Sequence, residues 1–287
     1  KRVRPTTITH TLNRARKANY TQQHTWHRLL PLRNVNMIET INQQLQLLKL
    51  SGIKQALKQQ LEQPNLYQEQ SFIERVSLLL THEIDTRDQR KIERLVRQAK
   101  FRVPGQLNQL IYSPKRNLDK AQIRGLCQST WLSLHQNILI TGATGCGKTY
   151  LACALGHEHC LQGKSVFYIR LKELLESLFL AQADGSYRKL LGKLIKYDLL
   201  ILDDWGLEPL SAQQRSDLLE LIDARYGYKS HIIISQLPQE NWHQMIGEST
   251  HADAILDRLI HGAIKLNLKG KSIRKQLNEL TDDDQLS

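Results

Sequence analysis

The segment that most constrains the fold is GATGCGKT, residues 142–149. It follows the apolar run Ile138-Leu-Ile-Thr and precedes a stretch with helical periodicity. This matches the pattern G-x-x-x-x-G-K-[ST] in the strand–loop–helix context that the pattern requires. The glycines let backbone amides curl around phosphate oxygens, and the start of the helix adds positive potential. The segment therefore predicts a nucleotide phosphate site; a chance glycine-rich turn is the alternative, and the flanking strand and helix argue against it.

We expect the loop and the first helical turn to bind the phosphates of ATP. Lys148 is predicted to reach the β- and γ-phosphates, and the Thr149 hydroxyl to bind Mg²⁺. Cys146 lies within the loop, where its backbone rather than its thiol is expected to bind. The predicted nucleotide-binding residues are Gly142, Ala143, Thr144, Gly145, Cys146, Gly147, Lys148, Thr149 and Tyr150.

Two neighbouring carboxylates, Asp203 and Asp204, follow the apolar run Leu199-Leu-Ile-Leu. Adjacent carboxylates repel each other unless a cation lies beside them. An acid on a strand next to the phosphate-loop strand is placed to hold Mg²⁺. We therefore assign Asp203 to the metal, directly or through water, and Asp204 to polarising the attacking water. The second acid favours hydrolysis over a small-molecule kinase, and the lack of an NKxD-type guanine reader argues against a GTPase.

From residue 137 onward, apolar strands alternate with helical segments. The predicted strands are Asn137–Ile140, Ser165–Ile169, Asp198–Leu202, His231–Ser235 and Ala263–Leu268. The predicted helices lie near residues 148–161, 171–181, 187–196, 212–226 and 250–261. Continuous apolar strands between helices indicate a parallel sheet that is covered on both faces. The predicted fold class is therefore α/β.

The chain before this sheet has a helical pattern. Apolar residues recur mostly at helical spacing from Met37 to about residue 114, with breaks at Pro64 and at Pro104-Gly105. We divide the chain into a basic segment of residues 1–36, a small helical domain of 37–114 and an ATPase domain of 115–287. Residues 1–36 precede the first methionine. We expect them to come from an upstream reading frame or added sequence; the alternative is a disordered basic arm that grips nucleic acid.

The net charge of +12 suggests a polyanionic partner, and the basic residues lie mainly in the front of the chain. Residues 1–36 hold eight Lys or Arg and no acid, residues 37–136 hold fifteen against nine, and residues 137–287 hold seventeen against nineteen. Two groups are candidates for DNA phosphate contacts. The first is an arginine stripe opposite the apolar face of a helix: Arg87, Arg90, Arg94 and Arg97. The second lies on the helix near 187–196: Tyr187, Arg188, Lys189 and Lys193. For the stripe, the alternative is a solvated face paired with Asp88 and Glu93.

Three further residues are candidates to complete the nucleotide site. Ser235 ends a strand and is expected beside the γ-phosphate. Arg258, on the helix before the last strand, is either an arginine finger for a neighbouring subunit's site or a surface residue paired with Asp253 or Asp257. Arg274 either senses phosphate in its own subunit or belongs to a solvated C-terminal helix.

Other features restrict the class of protein. No apolar run approaches about 20 residues, so no membrane-spanning helix is predicted. Four cysteines form no CxxC pair, which indicates reduced thiols and a cytoplasmic protein. The run His157-Glu-His159-Cys160 is a poor metal site because adjacent positions on one helix point in different directions. Trp205 is expected to pack rather than to stack on a base.

Taken together, GATGCGKT, LLILDDWGLEPL, IIISQLPQENWHQMIG, HADAILDRLIHGA and KGKSIRK resemble the IstB-like ATPases. These are AAA+ helper proteins of insertion-sequence transposition, and they are related to the helicase loader DnaC. The resemblance covers about Met37 to Lys275 and includes the helical front half. It departs from the general AAA+ pattern at Asp204, where most members carry Glu, and the shorter side chain puts the rate of hydrolysis in question. The chain also ends soon after Arg274, which leaves little room for a separate helical lid domain.

The resemblance implies ATP-dependent assembly on double-stranded DNA, target-site choice and stimulation of a partner transposase. It also implies that Arg258 is the finger acting in a neighbouring subunit, that Ser235 is the first sensor and Arg274 the second, and that the subunits form a homo-oligomer through their ATP sites. Two alternatives remain open. One is a helicase loader with a similar ATPase that acts on single-stranded DNA, and the other is a nucleotide-gated DNA scaffold with negligible turnover.

Overall fold

The computed structural model describes residues 37–247 and 249–270. Its centre is a five-stranded parallel sheet in the order β2-β3-β4-β1-β5. The strands are β1 (Ile138–Gly142), β2 (Val166–Arg170), β3 (Leu199–Trp205), β4 (Ser230–Ser235) and β5 (Ile264–Leu268). The predicted α/β class and all five strands are confirmed. The largest difference is at β3, which continues through both aspartates to Trp205.

Helices precede and connect these strands. They are α1 (residues 37–47), α2 (Ser51–Glu62), α3 (Phe72–Ala99), α4 (Lys120–Cys127), α5 (Thr130–Ser133), α6 (Lys148–Leu161), α7 (Leu171–Ala183), α8 (Tyr187–Lys196), α9 (Ala212–Arg225), α10 (Trp242–Ile246) and α11 (Ser249–Ile260). Single 3₁₀ turns lie at Pro64–Tyr67, Leu107–Gln109, Pro114–Arg116 and Gln239–Asn241. The sequence pattern did not predict α4, α5 and α10, which are short. None of the helices in the described residues is long and apolar enough to cross a membrane.

The sheet is covered on both faces, as the continuous apolar strands predict. On one face α6 packs with the end of α3, α4 and α5, and Leu151 and Leu155 of α6 are fully buried. On the other face α7, α8, α9 and α11 pack around Leu200 and Leu202 of β3. Burying both faces of a parallel sheet accounts for much of its stability, because each side chain removed from water contributes about 1.5–3 kcal/mol.

The chain divides into two compact units between Gln89 and Arg90, within α3. In the first unit, α2 approaches α3 closely at Gly52, where a Cβ atom would lie 2.7 Å from the Cα of Glu83. The backbone N–H groups of Gly52 and Ile53 donate to the buried Glu83 carboxylate at 2.6 and 3.1 Å. These bonds fix the start of α2, which has no side-chain cap. The functional division at residue 114 remains a proposal from the sequence.

Candidate functional site

The loop between β1 and α6 has the backbone shape of a phosphate cradle. Gly142, Gly145 and Gly147 have φ values of +143°, +82° and +91°, which residues with a Cβ atom rarely adopt. Gly142 also lies so close to β5 that a Cβ atom there would be 2.1 Å from the Leu268 carbonyl oxygen. The Lys148 ammonium group, at the start of α6, donates to the carbonyls of Gly142 and Ala143 at 2.8 and 2.9 Å. The lysine therefore lies across the loop, where phosphates are expected.

Asp203 faces this loop from β3, which is not adjacent to the phosphate-loop strand as expected from the sequence, because β4 lies between β3 and β1. Its side chain is 1% exposed, and its Oδ2 atom accepts hydrogen bonds from the Thr149 hydroxyl at 2.8 Å and the Tyr168 hydroxyl at 2.7 Å. Its Oδ1 atom accepts the backbone N–H of Asp204 at 2.8 Å. The two residues predicted to hold Mg²⁺, Thr149 and Asp203, are thus in direct contact, and their oxygen atoms are of the kind that Mg²⁺ prefers.

Asp204 lies in an irregular part of β3. Leu202 pairs with Ile233 and Trp205 with Ser235, so the two aspartates span a bulge, and Asp204 has a left-handed φ of +57°. Its carboxylate is only partly buried and lies 3.8 Å from the guanidinium of Arg102. Burial and the charge of Asp203 raise the pKa of Asp204, and the positive charges of Arg102, Arg170 and Lys148 oppose this shift. The bulge therefore turns the second acid away from the sheet and toward the cavity.

A cavity of about 530 Å³ joins these groups. The phosphate loop and the start of α6 contribute Thr144, Gly145, Gly147, Lys148, Thr149 and Tyr150 to its lining, and the ends of β3 and β4 contribute Asp203, Asp204, Ile234, Ser235 and Gln236. A third wall comes from the connector and loop after α3: Arg102, Val103, Gln109, Leu110, Ile111 and Arg116. The mixture of apolar side chains and phosphate-loop groups in this lining is of a kind that fits a nucleotide. Sequence reasoning missed this wall because no local pattern marks residues that only the tertiary fold brings to the loop.

Ser235 lines the cavity, but its hydroxyl makes two hydrogen bonds within the protein. The hydroxyl donates to the Trp205 carbonyl at 2.7 Å and accepts the Leu237 N–H at 3.1 Å, and the residue is fully buried. The next side chain, Gln236, instead reaches the phosphate loop, where its Oε1 atom accepts a hydrogen bond from Thr144. Both residues line the cavity, and Gln236 is the one whose side chain contacts the phosphate loop.

Arg258 lies elsewhere on the surface. Its Nε atom is 2.7 Å from the Asp223 carboxylate, its Nη1 atom donates to the Ala254 carbonyl, and its guanidinium lies 5.9 Å from the Tyr226 ring centre. The sequence alternative of a surface ion pair was right in kind, but it named Asp253 or Asp257 and the observed partner is Asp223. In the described part of the chain, the residues that line the cavity do not include Arg258. Arg274 lies outside the described residues.

The two candidate DNA groups differ in how free their side chains are. Arg90, Arg94 and Arg97 are exposed on α3, while Leu95, Val96 and Ala99 on its other face pack against the core. Arg87, in the first unit, is paired with Glu83 at 2.7 Å rather than with Asp88 or Glu93. Burial alone would raise the pKa of Glu83, but the Arg87 pair and two backbone N–H groups hold it below its usual value.

On α8, Arg188, Lys189 and Lys193 are exposed, and Leu191 and Leu194 are buried. Tyr187 is half-buried, and its hydroxyl donates to Glu220 at 2.7 Å and lies 3.3 Å from Asp217. Its phenol is therefore held against α9, which leaves the three basic residues as the accessible part of this group.

His159, Cys146 and Trp205, which the sequence analysis considered as possible functional residues, are all buried in the protein interior. His159 is fully buried, lies 2.7 Å from the Ser129 hydroxyl and packs edge-on against Trp131; burial lowers its pKa to about 4. All four cysteines are free, and the Cys146 side chain is buried in the core. Trp205 is 1% exposed and packs against Trp242, which confirms its predicted packing role.

The parallel sheet, the phosphate loop and the acids at the end of β3 define a P-loop nucleotide-binding protein of the AAA+ class. AMPPCP-bound DnaA from Aquifex aeolicus shares this fold, with a TM-score of 0.52, 19% identity and coverage of 64% of this chain and 56% of that chain. Residues 43–281 match the sequence model of the IstB-like ATP binding proteins. The chain belongs to that family.

Curated relatives agree with this assignment. The chain is 46% identical over 205 residues to "Putative insertion sequence ATP-binding protein y4pL" of Sinorhizobium fredii, covering 71% of this chain and 84% of the relative. It is also 46% identical over 196 residues to "Insertion sequence IS1162 putative ATP-binding protein" of Pseudomonas fluorescens, covering 68% and 84%.

Proposed function

We propose that this protein is an ATP-hydrolysing helper of transposition that assembles on duplex DNA, selects the target site and stimulates a partner transposase. The observation that carries the ATPase part is the meeting of Lys148, the Thr149–Asp203 pair and Asp204 at one cavity. The names of the insertion-sequence relatives support the transposition part.

In this proposal the nucleotide is held by residues 142–150, which form the phosphate loop and the start of α6. The backbone amides of the loop and the start of α6 receive the phosphates, and Lys148 exchanges its carbonyl partners for phosphate oxygens. The Thr149 hydroxyl and the Asp203 carboxylate would hold Mg²⁺, which would supply positive charge beside the phosphates. Tyr168, bound to the same carboxylate oxygen, orients Asp203.

Asp204 is the residue proposed to orient and polarise the attacking water. Its partly exposed carboxylate at the cavity is in keeping with that task, because the group must reach solvent that enters beside the phosphates. Ser235 supports this site indirectly, since its hydroxyl fixes Trp205 and the turn that follows β4. Gln236 supplies the polar contact toward the γ-phosphate that the sequence assigned to Ser235.

Arg258 is proposed to act in the site of a neighbouring subunit, so that ATP binding promotes side-by-side assembly. Its position outside the lining of its own cavity is compatible with such a role. The Asp223 pair then holds the guanidinium on the surface, partly exposed, until an interface forms. Arg274 remains proposed as a sensor of phosphate in its own subunit.

The basic residues of α3 and α8 are proposed to contact DNA phosphates. Such contacts are independent of sequence and sensitive to salt. A helicase loader is the alternative, with single-stranded DNA as its substrate. A scaffold with negligible turnover is the second alternative. The insertion-sequence relatives favour the transposition helper over the loader.

DNA binding with two charge-reversed variants tests this proposal. One variant changes Arg90, Arg94 and Arg97 to Glu, and the other changes Arg188, Lys189 and Lys193 to Glu. We expect duplex DNA to bind more tightly than single strands. In a variant whose replaced side chains bind DNA, the slope of log affinity against log salt falls by about one for each phosphate that is no longer bound. The matched control changes exposed Arg124 on α4 to Glu. Unchanged affinity and slope in both variants would exclude these surfaces, and preference for single strands would favour the loader.

A further inference from the structure

Arg102 is a basic residue of the nucleotide cavity that no part of the phosphate-loop pattern includes. It follows α3 in the connector of residues 100–106, about forty residues before the loop. Its Nη1 atom lies 3.8 Å from the Asp204 carboxylate, and its side chain is 45% exposed. The neighbouring Asp203 carboxylate accepts a hydrogen bond from the Tyr168 hydroxyl. Arg102 therefore lies at the end of the cavity marked by both acids.

The backbone that carries Arg102 is anchored to α6. Val103, the next residue, packs against the apolar core that contains Cys153 of α6. Gly105 lies against α6 so closely that a Cβ atom there would be 2.6 Å from the Ala154 nitrogen and 2.8 Å from the Tyr150 carbonyl oxygen. The Tyr150 hydroxyl in turn accepts the N–H of Gln106 at 3.1 Å. The arginine thus has a fixed base and a guanidinium that can change partners.

Charge in the cavity explains why such a residue is useful. Asp203, Asp204 and a polyphosphate place several negative charges in one space, which is unfavourable unless cations accompany them. Among the basic side chains of the described lining, Lys148 lies across the loop and Arg116 donates to the carbonyls of Ile111 and Cys146. Arg102 instead faces the two acids, next to the place expected for the terminal phosphate.

We propose that Arg102 binds the terminal phosphate of ATP in its own subunit and makes the site prefer triphosphate over diphosphate. The guanidinium presents a planar fork of donors that matches phosphate oxygens, and charge-assisted bonds of this kind are about twice as strong as neutral ones. Because Arg102 lies three residues after the end of α3, the exchange between Asp204 and phosphate also links the nucleotide to the helix that carries Arg90, Arg94 and Arg97. This inference rests on the proposed nucleotide site.

Nucleotide affinities of Arg102→Gln and Arg102→Lys test the inference. Binding of ADP and of a non-hydrolysable ATP analogue is measured with Mg²⁺ by calorimetry on the full chain, so the result does not depend on turnover. We expect Arg102→Gln to weaken binding of the ATP analogue on the order of tenfold to a hundredfold, as for the loss of a hydrogen bond to a charged group, and to change ADP binding by less than about twofold. Arg102→Lys keeps the charge and should recover part of the affinity.

Two controls separate a binding role from a structural one. Arg124→Gln removes an exposed arginine of α4 and should leave both affinities unchanged. Thermal unfolding without nucleotide should give the same midpoint for wild type and Arg102→Gln. If Arg102→Gln weakens the binding of the ATP analogue and of ADP equally, or changes neither affinity, the inference is overturned while the nucleotide site stands. If the wild-type chain binds the ATP analogue but does not hydrolyse ATP, the ATPase proposal is refuted. The Arg102 inference is then still decided by the affinities for the ATP analogue and ADP.

Discussion

Changing Asp204 to Asn separates ATP binding from ATP hydrolysis in this account. The substitution keeps the size of the side chain and removes the charge that is proposed to polarise water. Positioned general bases contribute about 10²–10⁴-fold to rate, so we expect phosphate release to fall at least about a hundredfold. Lys148, Thr149 and Asp203 are untouched, and one negative charge leaves the cavity, so ATP affinity should be retained or increase.

The backbone at this position makes Asn the right substitution. Asp204 has a left-handed φ of +57°, a conformation that Asn and Asp adopt more readily than most residues with a Cβ atom. Asp204→Ala would add a backbone cost of about 1 kcal/mol, so lower activity in that variant could reflect a displaced bulge. In addition, the pKa of Asp204 is raised in the folded protein, so its contribution to stability is lost as pH rises through that pKa. Asn does not ionise, and the variant should be at least as stable as wild type at neutral pH.

The assay combines phosphate release, binding of a fluorescent ATP analogue and denaturant unfolding, for wild type, Asp204→Asn and Asp204→Ala. Retained turnover in Asp204→Asn, with normal binding and stability, would refute the assignment of this residue to water activation. Loss of ATP binding in the same variant would show that Asp204 belongs to the nucleotide contacts instead.

Three further predictions concern the structure that supports the site. Arg225 is fully buried and donates to carbonyls at the end of α8 and the start of β4. In denaturant titrations, Arg225→Met should lower the free energy of unfolding by about 3 kcal/mol or more, because these carbonyls lose their partner. The control Arg124→Met should change it by less than about 0.5 kcal/mol. Gly105→Ala places a methyl group against the α6 backbone, so we expect lower thermal stability and weaker ATP binding; normal values for both would contradict the close approach seen there. Burial lowers the pKa of His159 from 6.5 to about 4, so stability should decline as pH falls through that interval because the unfolded chain takes up a proton, by about 3 kcal/mol at most. His159→Asn should flatten this pH dependence of unfolding, and an unchanged profile would rule out His159 as its source.

The sequence was sufficient for the parts of the fold and site that depend on local pattern. Apolar runs bounded by polar residues placed the five strands, and the phosphate-loop spacing fixed the positions of Lys148 and Thr149 beside Asp203. The long apolar face around Leu95 and Val96 was also visible as a helical repeat. The strand, loop and helix patterns are each set by neighbours within a few residues along the chain, whereas the contact between Thr149 and Asp203 joins residues 54 apart and needs the folded sheet.

The parts that were missed depend on contacts between distant segments. Arg102 reaches Asp204 because the connector packs on α6, and nothing in residues 100–106 specifies that packing. Arg258 pairs with Asp223, thirty-five residues away, where spacing suggested acids on its own helix. The contact of Gln236 with Thr144 was also missed, because it depends on the turn after β4, which directs the Ser235 hydroxyl to Trp205 and the Gln236 side chain toward the loop.

We propose that ATP, DNA and a second subunit act on one shared site, and a single experiment examines all three. ATP turnover and particle size are measured together, with and without duplex DNA, for wild type, Arg258→Ala and the control Arg124→Ala. We expect DNA to stimulate turnover, and large assemblies to form with ATP in wild type and the control but not in Arg258→Ala. Equal turnover by a monomer, regardless of DNA or Arg258, would contradict this proposal.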